Sequence, residues 1–243
     1  MLDTYRGEVD LSLYAGNDPR EIPNYGMSEA SLYLRIPVAT LRSWIKGRAY
    51  TLKSGRKKFF KPLIALPNEK RPYLSFANLV EAHVLNAIRR NYNVKLYKVR
   101  KALDFLQQAI PSKHPLIEQT FYTEGKDLFI RTLGPLMSVS EYGQYAMEEV
   151  IEIYLQRIER DSTGFPRRLY PFVGNPDSQA PKLIMIDPFI SFGRPVIAGT
   201  GISTAVIHER REAGEEISEL AEDYGRSRAE IKEAIRYESR QAA

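Results

Sequence analysis

The sequence predicts a mainly α fold with small β elements (α+β), and three observations lead to this class. Apolar residues recur at helical spacing over several segments of the chain. Residues 49–74 instead alternate short β-forming runs with turn residues. The chain ends in short helices separated by a glycine turn. With 243 residues, the chain is also long enough for two compact domains.

The first elements follow from capping and turn signals. Residues 1–24 are polar and rich in turn residues, and we expect them to form an N-terminal arm. Two short helices joined by a tight turn are predicted within residues 25–47, with Ser28 as the first N-cap and Pro37 in the first turn of the second helix. Two β segments and their Lys-Ser-Gly-Arg turn come next.

The middle of the chain predicts helices and one hairpin. Ser75 is a suitable N-cap for a helix with a broad apolar stripe. Residues 116–132 are predicted to form a β-hairpin that turns at Glu124, Gly125 and Lys126, and residues 145–160 to form a helix. Between the Ser75 helix and this hairpin, a further helix carries apolar residues at coiled-coil spacing: Leu96, Val99, Leu103, Leu106 and Ile110. We expect this seam to pack on a second copy of the chain, with residues 184–237 as the alternative interface.

A proline-containing stretch near residues 166–181 is predicted to be a linker. Beyond it lie two short strands, around residues 184–186 and 195–197, and three short helices, the last opened by a Ser227–Glu230 capping box. The predicted domains are an arm (1–24), a helical and β domain with a dimerising helix (25–110), a connecting region of hairpin and helix (111–165) and a C-terminal helical module resembling a helix-turn-helix (182–243).

The charge of the chain is divided unevenly. Residues 1–110 hold 19 Lys/Arg and 9 Asp/Glu, a balance of +10, whereas residues 111–243 hold 16 and 21, a balance of −5. Such asymmetry suggests that one half meets a polyanion. The chain has no cysteine, its apolar runs are too short to span a bilayer, and its N-terminus is unlike a signal peptide. A cytoplasmic location is therefore expected.

Residues 27–61 combine a helical corner, a basic helix and a basic hairpin in direct succession. Between Glu29 and Glu69 there is no acidic residue. This order predicts a winged helix-turn-helix whose second helix enters the major groove of double-stranded DNA while the wing meets phosphates. The predicted DNA-binding residues are Thr40, Arg42, Ser43, Lys46, Arg48, Lys53, Arg56, Lys57, Lys58 and Lys61.

The segments SEASLYLRIPVATLRSWIKGR, LSFANLVEAHVLNAIRR and VKLYKVRKALDFL resemble the N-terminal, MerR-like winged helix-turn-helix domain of the long VapB-type antitoxins. The stretch from FGRPVIAGTGIS to the final helix is similar to a small domain often attached to it, although Gly-Thr-Gly-Ile-Ser stands where that family usually has Gly-Thr-Arg-Ile-Pro. The resemblance implies a type II toxin–antitoxin system, in which the protein binds a PIN-like ribonuclease toxin and represses its own operon.

The C-terminal module leaves two interpretations open. Arg228, Lys232 and Arg236 follow one another along one helix face and offer a second nucleic-acid contact, but neighbouring carboxylates would repel phosphate, which favours a protein partner. PIN-like nucleases gather carboxylates around a divalent metal, where a basic side chain competes with the metal or the RNA phosphate. The candidate toxin-binding residues are Arg210, Arg211, Arg226, Arg228, Lys232, Arg236 and Arg240.

Catalytic and cofactor chemistry is not predicted. His83, His114 and His208 have no metal-ligand spacing, and His83 falls on an apolar helix face as a core histidine would. No cofactor motif or metal site is found in the sequence, so we expect a protein that is not an enzyme. The expected protein is a homodimeric regulator. Two alternatives remain: a MerR-like sensor with an effector pocket in residues 111–165, and a protein-interaction module that never touches DNA.

Overall fold

The computed structural model describes residues 14–51, 54–68, 70–92, 96–109, 111–137 and 141–239. The α+β class is confirmed, because helices dominate and the strands form two-stranded antiparallel sheets. The helices are α1 (Met27–Leu34), α2 (Val38–Lys46), α3 (Phe76–Tyr92), α4 (Leu96–Ala109), α5 (Lys126–Met137), α6 (Glu141–Leu155), α7 (Thr204–Glu212), α8 (Ile217–Asp223) and α9 (Arg228–Ser239). The strands are β1 (Arg48–Thr51), β2 (Lys57–Phe60), β3 (Ile158–Arg160), β4 (Pro166–Leu169), β5 (Ile184–Met185) and β6 (Val196–Ile197).

Helices α1 and α2 form the predicted tight corner. Helix α1 begins one residue before Ser28, so the N-cap is Gly26 and the prediction of Ser28 as cap is wrong. The Glu29 carboxylate accepts the Gly26 amide at 3.2 Å, which satisfies a free N–H at the helix start. Arg35 then reverses the chain with a φ of 53°, and Pro37 stands just before α2.

The central helices share one hydrophobic core with this corner. From Phe76 to Ile88, helix α3 is almost entirely buried, and it packs against α1 and α6. The core continues through α4, α5 and α6 to β4, and it contains Trp44, Phe76, Phe129 and Tyr154. His83 is a core histidine, as predicted: its ring packs on Tyr154, and its Nε2 donates to the Tyr154 carbonyl at 3.1 Å.

The predicted hairpin at residues 116–132 is wrong, because the segment is helical. A π-helical turn at Phe121–Gly125 continues directly into α5. The buried side chains of Ile117, Phe121, Phe129 and Leu133 recur at multiples of four residues, which places them on one side of a helix rather than alternating across a strand. A real hairpin pairs β3, at the end of the connecting region, with β4, just beyond it.

The predicted dimer seam on α4 is also contradicted. Val99, Leu103 and Leu106 are buried within the chain, on the side of α4 that packs against α5. The amphipathic stripe was identified correctly, but its partner is another helix of the same chain. The side chain of Leu96 and residue Ile110 lie outside the described residues.

The proline-containing stretch is not a free linker. It contains strand β4, and Arg157 holds the chain that follows. The buried guanidinium of Arg157 donates to the carbonyls of Tyr170, Ala180 and Pro181 at 2.8, 2.7 and 3.1 Å. These bonds tie residues 170–181 to the end of α6.

The C-terminal module forms a second hydrophobic cluster, which includes Ile184, Ile207, Leu220 and Tyr237. The predicted capping box is present, since Glu230 accepts the Ser227 amide at 2.9 Å and Ser227 Oγ accepts the Glu230 amide at 3.3 Å. Within the described ranges, no helix is both long and apolar enough to cross a membrane.

Candidate nucleic-acid interface

Helix α2 has one buried and one exposed face. Leu41, Trp44 and Ile45 are buried in the core. Arg42 and Lys46, one helical turn apart, are exposed on the opposite side, as the sequence predicted. The helix therefore presents two cations to solvent while its apolar side fixes its orientation on α1 and α3.

Thr40 and Ser43 lie on the same helix, but they are half-buried rather than exposed. Ser43 Oγ donates to the Thr40 carbonyl at 2.7 Å, so its hydroxyl proton is already hydrogen-bonded to the helix backbone. Ala39 was missed by the sequence analysis, although it is exposed and lies one turn before Arg42 on the same face. A small apolar side chain at this place suits contact with a thymine methyl group.

The wing, which consists of β1, β2 and the turn between them, is attached to α2 by hydrogen bonds and by a glycine junction. The Trp44 carbonyl accepts the amides of Leu63 and Ile64 at 2.6 and 3.1 Å, which returns the chain to α2 after β2. Gly47 joins α2 to β1 with a φ of 70°, and a Cβ there would lie 2.1 Å from the Phe60 carbonyl oxygen. Only glycine fits this junction, which sets the angle between helix and wing.

Strands β1 and β2 pair in register, with Arg48 opposite Phe60 and Thr51 opposite Lys57. The rings of Tyr50 and Phe60 stack with centroids 4.1 Å apart, which stiffens the hairpin. Most of the predicted wing residues are exposed: Arg48, Arg56, Lys57 and Lys61. Lys53 and the side chain of Lys58 lie outside the described residues.

These cations have no partner carboxylate in the part of the chain that the structure describes. None of the ion pairs found there includes Arg42, Lys46, Arg48, Arg56, Lys57 or Lys61. Lys70 and Arg71, exposed in the turn before α3, add to the same N-terminal charge and were not predicted. The surface has the unpaired positive charge that attracts phosphate.

Arg35, in the turn between α1 and α2, serves a different purpose. Its guanidinium donates to the Tyr237 carbonyl of α9 at 3.1 Å and lies 5.5 Å from the Tyr237 ring centroid. The Tyr237 hydroxyl in turn donates to the Tyr33 carbonyl at 3.1 Å. The C-terminal module is thereby anchored on the helix-turn-helix corner.

The basic residues of the C-terminal module are mostly neutralised within the chain. Arg210 pairs with Glu215 and Asp223, Arg211 with Glu216, Arg226 with Glu230, and Arg236 with Glu233 at 3.4 Å. Arg228 and Lys232 are exposed and belong to none of the ion pairs found among the described residues. Arg240 lies outside those residues.

A buried charge cluster supports the N-terminal region from behind. The His114 ring lies between two carboxylates: Nδ1 is 2.9 Å from Glu81 and Nε2 is 3.1 Å from Glu21. Burial alone would lower the pKa of His114, but its hydrogen bonds to Glu21 and Glu81 outweigh burial and raise the pKa to about 9. Likewise, burial would raise the pKa of Glu21, but hydrogen bonds from His114 and Lys113 lower it to about 2.

His83 is the opposite case, because burial without a carboxylate lowers its pKa to about 3. It is therefore neutral at physiological pH. Within the described residues, no group of three or more histidine or carboxylate side chains is arranged to hold a metal ion. The two buried histidines, His83 and His114, are part of the packed interior of the chain.

Comparison with known proteins places these features in a family. Residues 23–103 match the family model described as "Putative DNA-binding HTH domain", and residues 184–237 match "Protein of unknown function (DUF433)". The chain is 30% identical to "Putative antitoxin VapB45" of Mycobacterium tuberculosis over 88% of this chain and 93% of that protein. This chain belongs to the VapB45 antitoxin-like family.

This VapB45-like chain also matches a second protein sequence and a crystal structure from the same bacterium. "Uncharacterized protein Rv2308" is 24% identical over 94% of each chain. The crystal structure of Rv2018 superposes with a TM-score of 0.61 at 25% identity, over 88% of this chain and 98% of that one. These matches cover nearly the full length of each matched protein. The predicted membership in an antitoxin-like family is confirmed.

Proposed function

We propose that this chain is the DNA-binding antitoxin of a type II toxin–antitoxin system, acting as a homodimer that represses its own operon. The observation that supports DNA binding best is the exposed, carboxylate-free cationic surface of α2 and the wing, within the segment that matches a DNA-binding helix-turn-helix model. On this proposal the chain is a non-catalytic regulator, consistent with its antitoxin-like relatives.

In the proposed complex, α2 lies in the major groove. The guanidinium of Arg42 donates to the O6 and N7 atoms of guanine, a bidentate contact that reads the base. Lys46 and the wing cations bind phosphates and set the position of α2 without reading sequence. Binding is therefore expected to weaken steeply with salt, because each neutralised phosphate releases counterions.

Footprinting on the DNA upstream of the chain's own gene tests this proposal. Replacing Arg42 and Lys46 together by alanine should abolish the specific footprint while circular dichroism remains unchanged, since each base contact provides about 1–3 kcal/mol of discrimination. Reversing Arg56, Lys57 and Lys58 to glutamate should weaken binding to all sequences and flatten its salt dependence. Indistinguishable footprints of the wild type and the Arg42/Lys46 variant would refute the role of α2.

The second part of the proposal is a PIN-like nuclease as protein partner, bound by the C-terminal module. Support comes from the antitoxin relative and from the two exposed, unpaired cations of α9, Arg228 and Lys232. Among the described members of the predicted toxin-binding set, these two need break no internal ion pair before they meet the acidic active site of a nuclease. Arg210 and Arg226 would each first have to leave a carboxylate.

Purification of the native protein with its partner, followed by mass spectrometry, tests this part. The expected partner is a small nuclease whose activity on RNA is suppressed in the complex. The Arg228→Glu/Lys232→Glu variant should release nuclease activity, whereas Arg42→Glu/Lys46→Glu, with the same spacing on α2, should retain the inhibited complex. A nuclease inhibited equally by both variants would remove α9 from the toxin-binding surface.

A ligand-sensing regulator is the second candidate, and one feature favours it. A cleft of about 430 Å³ between α5 and α6, inside the region predicted for an effector, is lined by charged and polar groups that include Asp127, Arg131 and Glu148. A metabolite that copurifies and raises the melting temperature would support this function. A chain that copurifies with neither nuclease nor metabolite, and does not bind DNA, would leave only the protein-interaction module.

A further inference from the structure

Helix α4 presents two aromatic side chains to solvent on the side away from the core. Tyr97 is 46% exposed and Phe105 is 47% exposed, and both lie on the half of the helix opposite Val99 and Leu106. Of the other exposed large hydrophobic residues of the described chain, Leu32 on α1 and Val206 on α7 line a common cleft, and the rest lie singly on separate elements. Single exposed apolar residues are ordinary, but two on one helical face need an explanation.

The charges on the same face are arranged for self-recognition. Lys101 and Asp104 lie between the two aromatic residues, about one helical turn apart, and both are exposed. Asp104 has only a long ion pair within the chain, 3.7 Å from Arg100, and its side chain is 60% exposed. When a second α4 runs antiparallel about the midpoint of these residues, Lys101 of each copy faces Asp104 of the other.

We propose that the outer face of α4, carrying Tyr97, Lys101, Asp104 and Phe105, binds the same face of a second copy of this chain. The two-fold axis repeats the Lys101–Asp104 contact twice, and the aromatic rings cover both ends of the contact. A two-fold interface needs one self-complementary patch, and this face has opposite charges within one turn.

This interface couples the two DNA-binding units of a dimer. Arg100, on α4, donates to the Lys61 carbonyl at the end of the wing at 2.7 Å, so α4 is linked directly to the wing. A dimer through α4 therefore fixes the distance between the two wings and between the two α2 helices. Proteins with two such units read half-sites one or more helical turns of DNA apart.

Sedimentation equilibrium of the full chain at micromolar concentrations tests the proposal without DNA. The wild type should have twice the chain mass of 27.8 kDa. Lys101→Glu places two carboxylates opposite each other at two symmetric sites, and should raise the dimer dissociation constant about tenfold or more. The double variant Lys101→Glu/Asp104→Lys restores the opposite charges and should restore the dimer.

Matched variants separate interface from folding. Tyr97→Glu should give monomers with unchanged circular dichroism, whereas Tyr145→Glu, at a side chain 70% exposed on α6, should remain dimeric. A wild type that stays monomeric at the highest of these concentrations overturns the proposal, as do a dimeric Tyr97→Glu variant and a charge exchange that does not restore the dimer. A monomer that still binds DNA would refute this interface and the proposed homodimer, and would leave the DNA-binding part of the proposed function intact.

Discussion

Two regions of this protein have a helix-turn-helix arrangement with two cations one turn apart on the second helix, Arg42 and Lys46 on α2 and Arg228 and Lys232 on α9. Around α2, no acidic residue occurs between Glu29 and Glu69. Around α9, carboxylates neutralise Arg210, Arg226 and Arg236. The same local pattern therefore has two electrostatic settings, and the setting rather than the pattern indicates the partner.

The difference lies in the field that an approaching ligand meets. Unpaired cations on α2 and the wing add up to a positive surface, which suits a continuous polyanion such as DNA. On the C-terminal module, alternating charges produce little net field, and two free cations remain within it. Such a surface suits a protein partner with localised acidic groups.

The largest expected effects come from the two buried cores. Trp44→Ala and Tyr237→Ala each remove a fully buried aromatic ring, one from each hydrophobic cluster, and should each lower the free energy of unfolding by about 3–5 kcal/mol. Urea titration measures this, with exposed Tyr73→Ala as the control. Hydrogen exchange should show loss of protection mainly in the cluster that was mutated. Equal loss throughout the chain would mean that the two regions unfold as one unit.

The sequence predicted what local pattern determines. The α1–α2 corner, the wing and the basic face are encoded within about 35 consecutive residues by capping, turn and charge signals. The burial of His83 followed from its place on an apolar stripe. These features depend on neighbours in sequence, so they were accessible without coordinates.

Apart from the Ser28 cap, the errors occurred where residues distant in sequence determine the structure. Gly125 was interpreted as a hairpin turn, but it is buried in a helical segment whose apolar side faces the core. The α4 stripe indicated a buried face correctly, yet nothing local says whether the partner is α5 or another copy. Arg35 lies within the basic segment of residues 27–61, yet it binds Tyr237, two hundred residues later in the chain.

The next largest effect is expected in the pH dependence of the unfolding free energy, because His114 lies in the N-terminal core and not in the C-terminal module. Because the pKa of His114 is raised from 6.5 to about 9, its stabilising effect is complete below pH 6.5 and is lost as pH rises through about 9. The effect is on the order of 3 kcal/mol. Unfolding at pH 7 and pH 9.5 should therefore show an alkaline loss that His114→Gln removes. An equal loss in that variant would contradict the assigned charge of His114.

The junction between α2 and the wing gives a smaller effect. Gly47→Ala should cost about 1–3 kcal/mol, because its Cβ would strike the Phe60 carbonyl at a positive φ. Gly55→Ala, also at a positive φ but with no atom within 4 Å, should cost less and preserve DNA binding. Equal stability of the two variants would show that the wing has a different path.

The smallest expected effect concerns the contact between the regions. Tyr237→Phe keeps the ring but removes the hydrogen bond to the Tyr33 carbonyl, and should lower the unfolding free energy by about 1 kcal/mol. Thermal unfolding measures this change. A variant as stable as the wild type would mean that the hydroxyl is satisfied equally well by water.

The central claim is that the charges around each helix determine its partner, which is DNA for α2 and a protein for α9. Its most direct test is the affinity for the DNA upstream of the gene, measured against salt concentration for the wild type, Arg42→Glu/Lys46→Glu and Arg228→Glu/Lys232→Glu. The α2 variant should lose specific binding and show a flatter salt slope, while the α9 variant should match the wild type in both. An α9 variant that loses affinity as much as the α2 variant would contradict the assignment.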